Sequence, residues 1–303
     1  MVVKDKAASV LANLKNQAKE MGINYQMCLQ LFCQEEFLRK IEKSNYFENF
    51  TLKGGMFLYT LTKFEGRPTR DIDFMVRGLS NETSNINKVM EEICVVDTGN
   101  YFIEMEVLSS EDITEDKEYH GVKTKFMAHI KSVKISFSID VGINDVVVPD
   151  IMKRTIGTRL NYFHAPTIYT YSLESTIAEK FEAIIKRMEA TSRMKDFFDI
   201  YYLSNMFEFD GEVLQEAVFK TLEHRETIYD AESFERIKAF KENDFLLNLW
   251  NNYQSGMDDI KPEFSVVIDR LEEFIGPVFT AIVNENEFLM RWSNISNLWV
   301  HDK

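Results

Sequence analysis

The chain has 303 residues, 45% of them hydrophobic and 28% charged, and a net charge of −14. That is material for two domains with ordinary cores, and the acidic balance excludes a protein that coats nucleic acid over its whole surface, though not one with a local basic groove. Three cysteines without paired spacing (Cys28, Cys33, Cys94) exclude a disulfide or zinc framework and suit a reduced, cytoplasmic setting. No run approaches the roughly 18 apolar residues of a membrane span, and the N-terminus has no signal-peptide core.

In chain order, the spacing of apolar residues predicts a helix over 4–20, ended by Gly22, and a second over about 25–43 with Cys28 and Cys33 on its buried stripe. A short strand at 50–52 leads into Gly54-Gly55, followed by a helix over 56–62 and a loop over 64–70. Next comes a strand over 71–76 in which Ile72, Phe74 and Val76 alternate with Asp71 and Asp73. On a strand those carboxylates share one face about 7 Å apart, so the buried side falls to the apolar set. At an effective dielectric near 20 their repulsion is roughly 2–3 kcal/mol, which a divalent cation converts to attraction. Gly54 and Gly55 allow close backbone approach and precede a helix whose free N–H groups suit phosphate. Taken singly, an Asp-x-Asp pair fits a solvated strand face and Gly-Gly fits a turn. In this order they fit nucleotide transfer.

Further along, 85–93 reads as a helix, 101–108 as a strand and the acidic stretch 109–118 as a loop. Residues 122–130 and 133–141 alternate cleanly and read as a hairpin about Lys131-Ser132, with Asp140 beside Ser136 and Ser138 on the polar face. Asp140 is thus a third candidate acid, either an edge carboxylate in solvent or the group that completes a two-metal set. Lys117, Lys123, Lys125, Lys131 and Lys134 gather around the hairpin, as a solvated strand face or as a contact for an RNA backbone. Residues 144–171 read as irregular and carry the boundary between an α/β part, 1–160, and a helical part, 161–303. Ser172 is a good N-cap for a helix over 173–188 on which Lys180 borders the apolar stripe, fit for a cleft or for snorkelling. Asp196 and Asp199 share a face of the next helix, and segments near 211–223, 229–240, 243–255, 261–275 and 277–291 read as helical. The five histidines are scattered without metal-ligand spacing.

Four of these pieces resemble the AbiEii/AbiGii-type, MenT-like nucleotidyltransferase toxins of abortive-infection and toxin–antitoxin systems. They are Leu52-Lys-Gly-Gly followed by Arg67-Pro-Thr-Arg-Asp-Ile-Asp-Phe74, Ile139-Asp-Val141, Tyr171 to Glu179-Lys180, and Arg193-Met-Lys-Asp-Phe-Phe-Asp199. Thr69 and Pro68 depart from the commoner pattern of the first motif. The resemblance implies an α+β fold: a polymerase-β-like nucleotidyltransferase domain, a mixed sheet with flanking helices, followed by a helical C-terminal domain. It implies transfer of a nucleoside monophosphate from an NTP, with tRNA ends as the acceptor in some members, and a cognate antitoxin. By position it gives Asp71 and Asp73 to Mg²⁺ (Mn²⁺ is a substitute), with Lys180 and Asp196 completing the site from the helical domain.

The expected mechanism is a two-metal transfer. The triphosphate lies on Gly54-Gly55, and Asp140 shares a metal or helps activate the acceptor hydroxyl. Lys180 neutralises phosphate charge, as do Arg67 and Lys53, while Asp196 orients Lys180 or contacts the nucleoside. Phosphorylation at Thr69 would set about two negative charges beside the carboxylates and compete with the substrate. Transfer to a protein or small molecule, or nucleotide binding without turnover, are the rival readings.

Overall fold

The structure is a computed structural model that describes residues 5–61, 69, 71–113, 121–143, 145–255 and 262–301. Arg67, Pro68 and Lys117 lie outside the described residues. The chain divides into two compact units: Met1–Asn144 with Ile151–Tyr171, and Asp145–Asp150 with Ser172–Lys303.

The first unit opens with helices α1 (Lys6–Glu20) and α2 (Tyr25–Lys43). Each starts on a side-chain cap: Asp5 accepts from the Ala8 amide at 2.9 Å, and Asn24 from the Gln26 amide at 2.7 Å. α1 buries Ala7, Val10, Leu14 and Ala18, a single helical stripe. α2 is more deeply enclosed than its spacing predicts, burying Gln34, Glu35, Glu36, Arg39 and Lys40 along with its apolar residues. Glu35 survives there because the Arg159 backbone amide donates to both its oxygens, at 3.2 and 3.3 Å, and two guanidinium groups face it. Burial still pushes its carboxyl up to about 7, with Arg159 and Arg39 pulling the other way.

A seven-stranded mixed sheet follows. Its strands are β1 (Phe50–Lys53), β2 (Asp71–Val76), β3 (Glu104–Ile113), β4 (Gly121–Ile130), β5 (Val133–Ile143), β6 (Met152–Thr155) and β7 (Thr167–Thr170), in the order β3-β4-β5-β2-β1-β7-β6. The β2–β5 and β1–β7 pairs are parallel and the other neighbours antiparallel. One face carries Leu52, Ile72, Phe74, Phe126, Phe137, Ile139 and Val141, all buried, and α2 packs on it through Phe37, whose ring lies 5.2 Å from Phe126. Helices α3 (Gly54–Leu61) and α4 (Thr83–Cys94) complete the unit. The fold is the mixed α+β arrangement that the motifs imply.

Several local expectations change. The acidic stretch 109–113 is not loop but the end of β3, where Lys125 of β4 answers Glu111 at 2.8 Å. Residues 144–171 are not wholly irregular, since β6 and β7 join the sheet edge. The Gly-Gly pair is the first turn of α3 itself, and Gly54 alone takes a left-handed φ of +66°. The cysteines are free and buried.

The second unit holds α5 (Leu173–Arg187), α6 (Met194–Met206), α7 (Gly211–His224), α8 (Ser233–Lys238), α9 (Asp244–Gln254), α10 (Phe264–Phe274) and α11 (Gly276–Val283). Ser172 caps α5 as expected, accepting from the Ser175 amide at 3.0 Å. Segment 145–150 belongs here because Val148 bonds the Ser172 and Ser175 hydroxyls, while Arg225 gathers Asp145, Glu179 and Glu182. The expected helix over 277–291 is broken: α11 stops at Val283, and β9 (Met290–Ser293) pairs with β10 (Leu298–His301) and β8 (Phe209–Asp210). Trp292 and Trp299 on that small sheet pack against Phe274, at 4.9 and 5.8 Å between ring centres. No described helix is long and apolar enough to cross a membrane.

Candidate active site

The polar face of the first sheet is built by register. Lys53 stands opposite Asp73, Asp73 opposite Asp140, and Asp140 opposite Lys123, so four adjacent strands present a row of cation, acid, acid, cation. One step along, Asp71 faces Ser138, whose hydroxyl donates to Asp71 Oδ1 at 3.2 Å. Neighbouring strands run about 4.8 Å apart, which sets the Asp73 and Asp140 backbones side by side. Two like charges that close are costly unless a cation intervenes.

The row has two marks of a cation and phosphate site. Asp140 Oδ1 is buried and accepts no hydrogen bond from the described residues, but Lys123 Nζ forms an ion pair 3.3 Å from it and 3.3 Å from Oδ2. Burial raises the Asp140 carboxyl above the usual range, Lys123 works against this, and Asp73 and Asp71 add to the rise. The second mark is the glycine turn. A Cβ on Gly54 would fall 2.1 Å from Asp73 Oδ2, and one on Gly55 would fall 2.8 Å from Thr69 Oγ1. The backbone at the start of α3 is therefore pressed directly against the carboxylate edge, which no other residue permits.

These donors fit a hard divalent ion, being carboxylate oxygens carried side by side on adjacent strands. Among the described residues no three acidic, histidine or cysteine side chains already enclose a common point. An ion bound here would take the rest of its shell from phosphate and water, as Mg²⁺ commonly does.

The structure brings Lys53, Gly54, Gly55, Thr69, Asp71, Asp73 and Asp140 together in the first unit. Lys53 extends over the Tyr171 ring at 5.3 Å. Thr69 is buried, and its hydroxyl donates to the Asp71 carbonyl at 3.2 Å. Lys180 and Asp196 meet in the second unit, where the Lys180 ammonium lies 3.2 Å from Asp196 and 2.6 Å from Asp199. Arg193 takes the other Asp196 oxygen at 2.5 Å. Burial opposes ionisation of Asp196, but Lys180 and Arg193 outweigh it and hold the carboxyl below its ordinary value.

Asp199, Lys123 and Ser138 are partners that the motif reading did not assign to the site. The signal for Lys123 was available: counted outward from the Lys131-Ser132 turn, Lys123 and Asp140 are each the eighth residue and must pair. The hairpin lysines are less of a basic patch than they look in the sequence. Lys123 is held by Asp140, Lys125 by Glu111 and Lys131 by Asp5.

The sequence profile of the nucleotidyl transferase AbiEii toxins of type IV toxin–antitoxin systems matches residues 36–281, a span that takes in both the carboxylate row and the Lys180 cluster. The chain belongs to this family. As an AbiEii toxin it is a nucleotidyltransferase, and the type IV toxin–antitoxin family implies an NTP substrate and a cognate antitoxin. Enzymes of this kind generally use divalent metals. Among solved structures the chain is similar to MenT4, a nucleotidyltransferase toxin from Mycobacterium tuberculosis H37Rv, with 16% identity and a TM-score of 0.52 over 73% of this chain and 76% of that one. It is also similar to JHP933 from Helicobacter pylori, with 13% identity and a TM-score of 0.49 over 86% and 98% of the two chains. At such identities the MenT4 likeness concerns the fold. No curated protein matches the chain.

Proposed function

We propose that this AbiEii toxin transfers a nucleoside monophosphate from an NTP to an RNA hydroxyl, with tRNA the foremost acceptor, and so arrests growth or aborts phage infection. The observation that carries the reading is the register that sets Asp140 beside Asp73, with the Gly54 backbone pressed against the Asp73 carboxylate. Asp71, Asp73 and Asp140 would hold Mg²⁺, which when bound polarises the transferred phosphate and lowers the pKa of an attacking hydroxyl. The first-turn amides of α3 would receive phosphate oxygens, and Gly54 and Gly55 let that turn lie against the Asp73 carboxylate and Thr69. Lys53 adds positive charge at the end of the row, and Arg67 is assigned the same task. Lys180 is assigned to phosphate charge and Asp196 to keeping that ammonium oriented, on the motif resemblance and on their own 3.2 Å contact. The transfer then rests on positioning and charge.

The test incubates the purified protein with each α-labelled NTP, total RNA and Mg²⁺. Label is expected in RNA of tRNA size, with none for Asp73→Asn. Label that stays in NTP with every acceptor would sink the transfer reading. Label in protein or in small molecules would instead favour the second reading, transfer to a non-RNA acceptor. The pairing of Lys125 and Lys131 with acids speaks for that second reading, since it leaves less free positive charge for a backbone.

A further inference from the structure

Lys123 sits where the metal reading would set a cation. Its ammonium is 3.3 Å from each oxygen of Asp140, it is drawn to Asp71 and Asp73 as well, and its side chain keeps a third of its surface in solvent. A four-carbon stem rooted on the neighbouring strand can hold that position or swing to water without moving the backbone. Without a cation, the row Asp73–Asp140 would set two half-buried negative charges side by side.

We propose that Lys123 is a tethered counter-cation that balances the carboxylate row when no divalent ion is bound and competes with the ion for Asp140. This rests on the metal reading of the row given above. Lys123 acts through Asp140 and is a positioning residue. Its presence weakens intrinsic metal affinity, so the ion enters together with the triphosphate, whose own negative charge compensates for the displaced ammonium. The free protein is thereby kept folded and largely metal-free, and an ion is retained mainly when substrate is present.

The experiment measures Mn²⁺ binding to the nucleotide-free full-length protein by the loss of the free-ion EPR signal. Lys123→Met is expected to bind Mn²⁺ about tenfold more tightly than wild type, and Lys123→Gln likewise, while Lys123→Arg stays near wild type. Asp73→Asn and Asp140→Asn should weaken binding in either background. The direction separates this from a merely structural role, which would weaken binding as the fold loosens. Equal or weaker binding by a folded Lys123→Met or Lys123→Gln protein, with wild-type binding abolished by Asp73→Asn, overturns the role of Lys123 and leaves the metal reading standing. Binding to none of the proteins, or binding that ignores Asp73 and Asp140, overturns both.

Discussion

Gly54 lies against Asp73 so closely that a methyl group on it would stand 2.1 Å from Oδ2, and its φ of +66° is one that side chains resist. Gly54→Ala therefore combines backbone strain of about 1–2 kcal/mol with displacement of the carboxylate. Gly22 offers a control: its φ is +65° but nothing lies within 4 Å of the added carbon. Both variants should lose similar stability to strain in urea melts. Gly54→Ala alone should lose transfer, by about a hundredfold or more.

Asp73→Asn keeps shape and removes charge. Because Asp73 and Asp140 repel one another, the variant should melt at or above the wild-type temperature while losing about three orders of magnitude in turnover. A variant that transfers label at near wild-type rate would remove Asp73 from the site.

The general plan was readable because it depends on short-range alternation. Ile72, Phe74 and Val76 against Asp71 and Asp73 name both the buried face and the open one, and the hairpin turn at Lys131-Ser132 fixes its own register. What alternation does not contain is partner choice between distant strands. That β5 lies parallel to β2, so that Asp140 faces Asp73 rather than Asp71, depends on pairing across more than sixty intervening residues. The small sheet of β8, β9 and β10 was hidden for a related reason: its strands are two to four residues long, and the apolar run after Pro277 continues a helical pattern until Val283. Glu35 reads as a surface helix residue by type, and only Arg39 together with Arg159, far along the chain, makes its burial tolerable.

Glu35 also predicts a pH dependence. Its carboxyl is raised to about 7 in the folded protein by burial, so the folded state holds a proton that the unfolded chain releases near pH 4.5. Its stabilising contribution is complete below pH 4.5 and is lost as pH rises towards 7. Relative to Glu35→Gln, which does not titrate, wild type should lose up to about 3 kcal/mol across that window, read from denaturant midpoints at successive pH values.

In the second unit Asp196 and Asp199 share Lys180 unequally. Asp196 is almost wholly buried and serves both Lys180 and Arg193, whereas Asp199 serves Lys180 at 2.6 Å. Asp196→Ala should cost about 3–5 kcal/mol, and Asp199→Ala about half as much because Lys180 retains its other acid. Guanidinium titrations of both variants would check the order, and the reverse order would show that Asp199 is the principal counter-ion.

The parallel pairing of β2 with β5 has a temporal consequence for a polypeptide that harms its host. Asp71 and Asp73 emerge from the ribosome long before Asp140, and a nascent or truncated product ending ahead of residue 133 contains only part of the acid set. On the proposed acid set, such a product would lack Asp140 and would be incompetent for transfer until β5 has been synthesised and joined to β2.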